Sequence, residues 1–599
     1  MTGTNDYLRH HVTRQQRDDG TVILGSGLDL GPVARCSGEW LHRWAEESPD
    51  RVFLAERSGA GWRKATYGEM LEQVRAVAAA LLERGFGPGR TIVALSGPGI
   101  DHAILTLAAQ YVGAPIVPLA EQYSLITEAH SRLLYAVNKV RPAMIYASDG
   151  DRFAAALALP ELAGIEQLVS RGAGPNQTRF ESLLSGRAGP DVDAAHAAVG
   201  PDTMAKILFT SGSTSMPKGV PQTQRMMCVN QAQYLACLPM LGARPPVMVD
   251  WLPWNHVFAS SSNFNMILSN GGTLYLDDGK PVKALFERTL ENLAMQGATL
   301  SCNVPIAYAL LIAAMRDNAD LRRTFFADLD LIFYAGASLP QDVWTALEDM
   351  ALEETGRVPM MTSSWGMTET APAAILHYQG GASTGMIGVP LPELETKLVP
   401  DQPGRYELRV RGPNIMPEYF EDAERTAESF DEEGFFVTGD AVRFADPDDI
   451  TRGVRFDGRV AEDFKLMTGI WVHASALRLA ALATLGGLVQ DVVVTGDGRA
   501  DLGLLIFPNP ARVQAGAGQA VIDDTDYCAE IVTRLRDLAS HATGSSSRIV
   551  RALVLAEPPS VGDGEITAKG SLNNRAVLSR RAGLLERLYD DGDAAVLLI

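Results

Sequence analysis

Residues 205–219 of the chain read AKILFTSGSTSMPKG. The first six residues predict a buried strand, which runs directly into a cluster of hydroxyl and glycine residues before a single lysine, Lys218. At the carboxyl end of a parallel strand, backbone N–H groups and hydroxyls converge and can surround phosphate oxygens. Lys218 would add one positive charge, and Gly219 would let the backbone approach a ligand closely. The stretch therefore predicts an anion site at the edge of an α/β sheet.

This loop differs from the Walker phosphate loop. The Walker motif needs GxxxxGK followed by Ser or Thr, whereas Lys218 follows a proline and precedes a glycine. Taken alone, a cluster of Ser, Thr and Gly is also compatible with a solvated turn. The choice between an anion site and a turn therefore depends on the rest of the chain.

Apolar runs alternate with amphipathic stretches along most of the chain. Residues 66–84 have apolar positions at helical spacing and end at Gly85, and TIVAL at 91–95 is typical of a buried strand. The same order repeats further along and predicts mostly parallel sheets covered by helices. After about residue 385 strands follow one another closely, as in a small β-rich subdomain. From residue 458 the pattern restarts, so we expect a large N-terminal α/β domain, residues 1–457, and a small α+β C-terminal domain, residues 458–599.

Composition excludes several classes of protein. A chain of 599 residues is long enough for at least two domains. Its net charge of −20 argues against nucleic acid as the main partner. Five scattered cysteines without a CxxC pair indicate reduced thiols and no zinc site. No apolar run is long enough for a membrane span, and the polar N-terminal stretch does not look like a signal peptide, so we expect a cytoplasmic protein.

Five separated motifs occur in a fixed order: the TSGST–PKG loop, WGMTET at 365–370, GFFVTGD at 434–440, GR at 458–459 and a late lysine in ITAKGSLNNR. In this combination the chain resembles the adenylate-forming (ANL) superfamily of acyl-CoA synthetases, peptide-synthetase adenylation domains and luciferases. The stretches QTQRMMCVNQ, GRVAEDFKLMTG and GEITAKGSLNNRAVL look most like feruloyl-CoA synthases. The resemblance implies a C-terminal domain that swings between two orientations.

The resemblance also implies a reaction with ATP, Mg²⁺ and CoA. A carboxylate attacks the α-phosphorus of ATP and expels pyrophosphate, and the thiol of CoA then displaces AMP from the acyl-adenylate. Both partners of the first step are anions, so the site has to neutralise charge and align the reactants rather than supply a nucleophile. The implied substrate is a hydroxycinnamate, ferulate in the first place.

Roles at the nucleotide follow from the same resemblance. Thr368 would contact phosphate, Glu369 would hold Mg²⁺, and Trp365 with Gly366 would face adenine. Asp440 would accept hydrogen bonds from the ribose hydroxyls, Arg459 would contact ribose or phosphate, and Lys569 would bridge the carboxylate and the α-phosphate. The residues that would surround the β- and γ-phosphates are Thr210, Ser211, Gly212, Ser213, Thr214 and Lys218.

Other residues are implied for CoA and for the acid. Lys465 and Gly469 would form the wall that is presented for thioester formation. His256 in LPWNHVF would flank the carboxylate end of the acid. The remaining implied pocket residues are Phe258 and Ser262, for a phenolic ring, and Tyr334, Gly336 and Ala337, for a flat substrate.

Several positions depart from the family pattern. Ser215 stands where most relatives have glycine, and Ala461 occupies the usual hinge position in place of an acid or lysine. Lys465 precedes Gly469 by four residues rather than three, and Lys569 precedes its glycine rather than following one. The alternatives are another aryl or fatty acid CoA ligase, a stand-alone adenylation enzyme that loads a carrier protein, and an adenylate-binding protein without turnover.

Overall fold

The structure is a computed structural model that describes residues 7–210, 216–282, 285–336, 339–381, 383–510, 512–513, 516, 519–542, 544–560, 563–566 and 572–599. Within these residues the strands form four sheets, of fifteen, seven, four and two strands. Helices cover the sheets, and a smaller α+β unit follows the large N-terminal region. This confirms the predicted fold class.

The fifteen-stranded sheet, called the large sheet below, joins a parallel half to an antiparallel half within the described chain. In spatial order its parallel half contains Val52–Ser58, Thr273–Leu276, Val247–Asp250, Leu300–Asn303, Leu331–Tyr334 and Met360–Gly366, with Gly61–Thr66 antiparallel at the edge. The antiparallel half continues with Ala373–Leu376, Met386–Pro390, Val454–Arg459, Phe436–Phe444, Arg405–Arg411, Glu395–Gln402, Val22–Ser26 and Val12–Gln16. The closely spaced strands expected after residue 385 form most of this second half.

The second sheet contains the strand that leads into the predicted anion site, Met204–Thr210. In spatial order it consists of Lys218–Thr223, Met204–Thr210, Ile116–Pro118, Ile92–Leu95, Met144–Asp149, Glu166–Arg171 and Thr178–Arg179. Its strands run parallel except for the first pair, which is antiparallel. Ile92–Leu95 is buried along its whole length, as its uninterrupted apolar sequence predicts for a parallel strand with both faces covered.

The helices connect these strands. The predicted helix over 66–84 is observed as Tyr67–Glu83, and it begins where the Thr66 hydroxyl accepts from the Glu69 N–H while the Glu69 carboxylate accepts from the Thr66 N–H. The other α-helices of the described residues are Ser37–Glu47, Ile100–Tyr111, Gln122–Leu125, His130–Val140, Ala154–Leu157, Pro190–Ala198, Gln224–Cys237, Met240–Ala243, Phe264–Ser269, Phe286–Met295, Pro305–Asp317, Ala319–Phe326, Gln341–Thr355, Ala423–Glu428, Ala474–Leu485, Thr525–Ser540, Asn574–Arg580 and Ala582–Leu588. A π-helical segment, Phe258–Asn263, leads into one of them.

The C-terminal region has its own hydrophobic core. Its four-stranded sheet has the order Val489–Thr495, Leu502–Pro508, Ile549–Val554 and Leu597–Leu598, and a separate hairpin pairs Phe464–Lys465 with Trp471–Val472. The predicted domain boundary, between residues 457 and 458, lies within the strand Val454–Arg459 and stays a prediction.

Two further sequence expectations concern the whole chain. All five cysteines are free and buried. Among the described residues, the helices are too short or too polar to cross a membrane.

Candidate active site

The strand Met204–Thr210 and the strand Lys218–Thr223 form a hairpin whose register brings Thr210 opposite Lys218. Ser211, Gly212, Ser213 and Thr214, which connect the two strands, lie outside the described residues, as does Ser215. Gly219 lies close to a neighbouring loop, because a Cβ there would come within 3.3 Å of the Phe420 Cβ. The backbone of Phe420 also donates to the Gly219 carbonyl at 2.9 Å. The hairpin therefore fixes both ends of the predicted phosphate loop.

Lys218 and Glu369 meet through Tyr419. The Tyr419 hydroxyl donates to Glu369 Oε1 at 2.8 Å, and Lys218 Nζ lies 3.5 Å from the same hydroxyl and 4.9 Å from the centre of the ring. Burial lowers the pKa of Lys218, Glu369 opposes this effect, and the nearby Arg425 and Arg459 add to it. Burial and the adjacent Glu369 raise the pKa of Tyr419, so that its hydroxyl stays a donor. Lys218 is thus close enough to Glu369, Arg425 and Arg459 for their charges to influence its own.

Buried amide groups hold the backbone of Thr368, Glu369 and Thr370. Gln222 Nε2 donates to the Thr368 carbonyl at 2.7 Å, and the Met416 N–H donates to the Glu369 carbonyl at 2.8 Å. Asn414 Nδ2 donates to the Thr370 carbonyl at 2.8 Å. The carbonyls of this segment are thus satisfied by a strand residue, Gln222, and by the loop that contains Asn414 and Met416, so the backbone that carries Glu369 is held in one place.

Asp440 lies beside Arg459, its register partner on the neighbouring antiparallel strand. Arg459 Nε lies 3.5 Å from Asp440 Oδ1, and the Trp365 indole donates to Asp440 Oδ2 at 2.9 Å. The Arg459 side chain is 60% exposed and can turn toward a ligand. Trp365 is buried among apolar residues, so the contribution visible here is to orient Asp440. Gly366 leaves no room for a side chain, since a Cβ would lie 1.9 Å from the Pro372 carbonyl.

The residues predicted for the acyl pocket lie on two sides of the π-helical segment. The Phe258 ring packs against Phe333 at 5.9 Å, and the Ser262 hydroxyl donates to the Tyr234 hydroxyl at 3.2 Å. All four of these side chains are buried. Phe258 and Ser262 therefore each contact a buried aromatic residue of a neighbouring element. His256 precedes the segment, and its Nδ1 accepts from the Phe258 N–H at 3.3 Å.

Tyr334 ends a strand of the parallel half of the large sheet, and Gly336 follows it. Burial raises the pKa of Tyr334 to about 12, and its ring packs edge-on against Trp344 at 5.9 Å. Gly336 has φ of +87°, a conformation that glycine adopts without strain. Ala337 lies outside the described residues.

Lys465 and Gly469 belong to the small hairpin of the C-terminal region. Lys465 Nζ lies 4.8 Å from the centre of the Trp471 ring. Gly469 has φ of +82° and nothing within 4 Å of a Cβ, so its backbone is accessible. Lys569 lies outside the described residues.

Sequence reasoning missed Tyr419, Gln222 and Asn414. Tyr419 lies in a polar loop, PEYFED, fifty residues from its partner Glu369. Gln222 and Asn414 lie next to apolar residues in the sequence. A polar amide in such surroundings is the one signal that could have indicated a buried polar network.

Comparison with known proteins gives a consistent result. The family model of the AMP-binding enzymes matches residues 41–420, and the model of the AMP-binding enzyme C-terminal domain matches residues 467–593. A carboxylic acid reductase from Mycobacterium marinum is 25% identical over 571 residues, which are 88% of this chain and 46% of that protein. The chain thus spans about half the length of that relative. The long-chain-fatty-acid–CoA ligase FadD15 from Mycobacterium bovis is 25% identical over 597 residues, 91% of this chain and 95% of the ligase.

Solved structures share the fold. The anthranilate CoA ligase AuaEII, in complex with anthranoyl-AMP, superposes with a TM-score of 0.71 at 18% identity and covers 93% of this chain and 99% of its own.

Proposed function

Because the chain belongs to the AMP-binding enzymes, the adenylate-forming superfamily, we propose that it activates a carboxylic acid with ATP and transfers the acyl group to CoA. The acid is a hydroxycinnamate, with ferulate as the first candidate, as the resemblance of the sequence implies. The single observation that carries the proposal is the joined cluster of Lys218, Tyr419 and Glu369. It combines a cation and a carboxylate at the end of the predicted phosphate loop.

Adenylation needs charge neutralisation and alignment. A carboxylate oxygen of the acid forms a bond to the α-phosphorus, the bond from that phosphorus to the bridging oxygen breaks, and pyrophosphate leaves with the electron pair. Thr210, Lys218 and the loop between them would bind the outer phosphates, with the Thr368 hydroxyl beside them. Asp440 would hold the ribose hydroxyls, and Arg459 would contact ribose or phosphate. Lys569 would bring the acid and the α-phosphate together.

Glu369 suits a magnesium ion. Mg²⁺ prefers oxygen ligands, keeps several waters and is commonly held by one or two carboxylates together with substrate phosphates. Within the described part of the chain no three His, Cys, Asp or Glu side chains are grouped as a metal site. A single buried carboxylate, fixed by Tyr419, is therefore the arrangement expected when the phosphates supply the other ligands. The ion would neutralise charge on those phosphates.

Thioester formation would use the second wall of the site. The CoA sulfur attacks the acyl carbonyl carbon, and the bond from that carbon to the phosphate oxygen of AMP breaks. We propose that the unit formed by residues 458–599 turns about the segment after Arg459 and brings Lys465 and Gly469 to the acyl-adenylate. The accessible backbone at Gly469 leaves room for the pantetheine arm.

The relatives support other acids and acceptors as well. FadD15 is named for long-chain fatty acids, and the reductase from M. marinum for carboxylic acids. A fatty acid ligase, or an adenylation enzyme that loads a carrier protein, is therefore the second candidate. This chain retains the motif residues Lys218, Thr368, Glu369, Asp440, Arg459 and Lys569, which argues for turnover and against a binding protein.

The test is pyrophosphate release and thioester formation on ferulate, coumarate, benzoate and octanoate with ATP and Mg²⁺, each with and without CoA. We expect a CoA thioester, formed fastest from ferulate or coumarate. Fastest turnover of octanoate would favour a fatty acid CoA ligase. Stoichiometric pyrophosphate that CoA does not increase would indicate a carrier-protein acceptor, and no pyrophosphate with any acid would refute the proposal.

A further inference from the structure

A buried glutamine lies on the strand that leaves the predicted phosphate loop. Gln222 is fully buried, and it shares one face of the strand Lys218–Thr223 with Lys218, because alternate side chains of a strand point to the same side. Its Nε2 donates to the Thr368 carbonyl at 2.7 Å, and the Ser261 hydroxyl donates to its Oε1 at 3.4 Å. A carbonyl can only accept, so the amide nitrogen must face Thr368 and the amide oxygen Ser261. The two polar atoms of one buried side chain thus contact two different segments.

The two segments carry residues predicted for different substrates. Thr368 directly precedes Glu369, the carboxylate proposed for Mg²⁺. Ser261 belongs to the π-helical segment Phe258–Asn263, which carries the residues predicted for the ring pocket. π-Helical turns are uncommon and concentrate at functional sites. Gln222 therefore lies where the segment predicted for the acid meets the segment predicted for the nucleotide.

A second buried glutamine supports the same junction. Gln231 lies on the helix Gln224–Cys237, which begins directly after the strand that carries Gln222, and its Nε2 donates to the Ser261 carbonyl at 2.9 Å. The strand and the helix therefore contact Ser261 at its hydroxyl and at its carbonyl. A shift of the π-helical segment would leave buried polar groups without partners, which is costly. The position of this segment relative to Thr368 is thus fixed by buried hydrogen bonds.

We propose that Gln222 is a positioning residue for adenylation: it holds the π-helical segment against Thr368 and Glu369, so that the acid meets ATP in the orientation that reacts. This inference rests on the proposed function and deepens it. The attack on the α-phosphorus requires alignment of two bound reactants rather than a protein nucleophile. A displacement of about 1 Å between them can cost about 100-fold in rate. Loss of Gln222 should therefore lower the rate of the chemical step more than the affinity for either substrate.

The test compares kcat and KM for pyrophosphate release in wild type and Gln222→Met, with whichever of ferulate, coumarate, benzoate and octanoate the wild type uses fastest. Methionine keeps the length of the side chain and removes the amide. We expect kcat to fall about 10- to 100-fold, while KM for ATP and KM for the acid each change by less than about 3-fold. Thioester formation from preformed acyl-adenylate should also change by less than about 3-fold, because that step no longer depends on the alignment of acid and ATP.

Ser261→Ala breaks only one of the two contacts of Gln222. We expect a smaller fall in kcat, about 3-fold, with both KM values unchanged. In the Gln222→Met background it should cause no further loss, since both changes remove the same contact. Gln110→Met is the matched control, because Gln110 is a buried glutamine on another helix, Ile100–Tyr111, whose Oε1 accepts from the Ser37 hydroxyl at 2.7 Å. It should leave kcat unchanged.

The outcomes separate this inference from the proposed function. Pyrophosphate release by the wild type, with an unchanged kcat in Gln222→Met, would overturn the inference alone. Equal losses in both half-reactions, or a rise in both KM values, would also overturn it, because they would indicate a structural role or a role in binding. Additive losses in the double variant would show that Gln222 does not act through Ser261 and would overturn it as well. If Gln222→Met does not fold, an unchanged kcat in Ser261→Ala has the same meaning. No pyrophosphate from the wild type with any acid would refute the proposed function and the inference together.

Discussion

The Tyr419 hydroxyl donates to Glu369 Oε1 at 2.8 Å and lies 3.5 Å from Lys218 Nζ. One phenol therefore touches both the carboxylate proposed for Mg²⁺ and the lysine proposed for phosphate. Groups that hydrogen-bond to a metal-binding carboxylate orient it and influence how tightly the metal binds.

Tyr419→Phe removes the hydroxyl that contacts both Glu369 and Lys218 and keeps the aromatic ring beside Lys218. We expect the Mg²⁺ concentration for half-maximal pyrophosphate release to rise about 10-fold or more, with part of the activity recovered at high Mg²⁺. The measurement is a Mg²⁺ titration of pyrophosphate release. Tyr406→Phe, on a strand of the antiparallel half, is the control and should leave the titration unchanged. An unchanged titration in Tyr419→Phe would contradict the assigned role.

The hydrogen bond from Trp365 to Asp440 gives a second prediction. Trp365→Phe keeps an aromatic ring but removes the N–H that orients the carboxylate. Hydrogen bonds to charged groups are worth about 1.5–3 kcal/mol, so we expect KM for ATP to rise about 10-fold with little change in KM for the acid. Trp62→Phe, on an edge strand, should change neither constant. Equal increases in both KM values would indicate general loss of structure and would contradict a role at the ribose.

Many helices and strands could be predicted from the sequence because apolar runs and helical spacing indicate them directly. The helix at 67–83 and the strands around 92–95 and 204–210 follow from patterns of neighbouring residues. The motif order also named Glu369, Asp440 and Arg459 as candidates, of which Asp440 and Arg459 lie side by side in the structure.

The remaining features depend on contacts between distant segments. Tyr419 meets Glu369 from fifty residues away, and no spacing rule joins them. Phe258 and Ser262 stay a prediction for the ring pocket, and their contacts with Phe333 and Tyr234 join segments far apart in the chain. Lys206 stood within a run that predicts a buried strand, and one sequence could not show whether its amine found a partner.

Arg405 contacts Asp457 and Asp463, which lie on either side of the segment about which residues 458–599 are proposed to turn. It is 1% exposed, its Nε lies 3.0 Å from Asp457 Oδ2, and its Nη2 lies 2.5 Å from Asp463 Oδ2. If residues 458–599 turn about this segment, the contact with Asp463 has to break, whereas the contact with Asp457 can persist. We therefore predict that the contact between Arg405 and Asp463 favours one orientation of residues 458–599.

Asp463→Asn should shift the balance between the two orientations. We expect the rates of adenylation and of thioester formation from preformed acyl-adenylate to change in opposite directions, each by about 5- to 10-fold. Single-turnover kinetics of each half-reaction provide the measurement. Asp457→Asn is the matched control, since it weakens the same arginine cluster on the side that is proposed to stay in place, and should affect both half-reactions alike. Parallel losses in Asp463→Asn would contradict the role proposed for the contact between Arg405 and Asp463.

The buried amine of Lys206 predicts how stability depends on pH. Burial lowers the pKa of Lys206 from 10.5 to about 7, so between these values the unfolded chain binds the extra proton and the free energy of unfolding rises with pH. His102, whose charge would interact with that of Lys206, has its pKa lowered to about 4 mainly by burial and stays neutral in this range. Lys206→Met should therefore be more stable than wild type at pH 7, and the advantage should shrink by about 1 kcal/mol for each pH unit toward pH 10.

Melting temperatures of wild type and variants at pH 6.5, 8 and 9.5 provide this measurement. The control, Lys397→Met, should behave in the opposite way. Against the effect of burial, hydrogen bonds to Glu433 and Asp431 raise the pKa of Lys397, so its charge stabilises the folded chain throughout this pH range. Its removal should lower the melting temperature at all three pH values. A Lys206→Met variant less stable than wild type at pH 6.5, or a difference in stability that does not change with pH, would contradict the prediction that the buried, charged amine destabilises the folded chain.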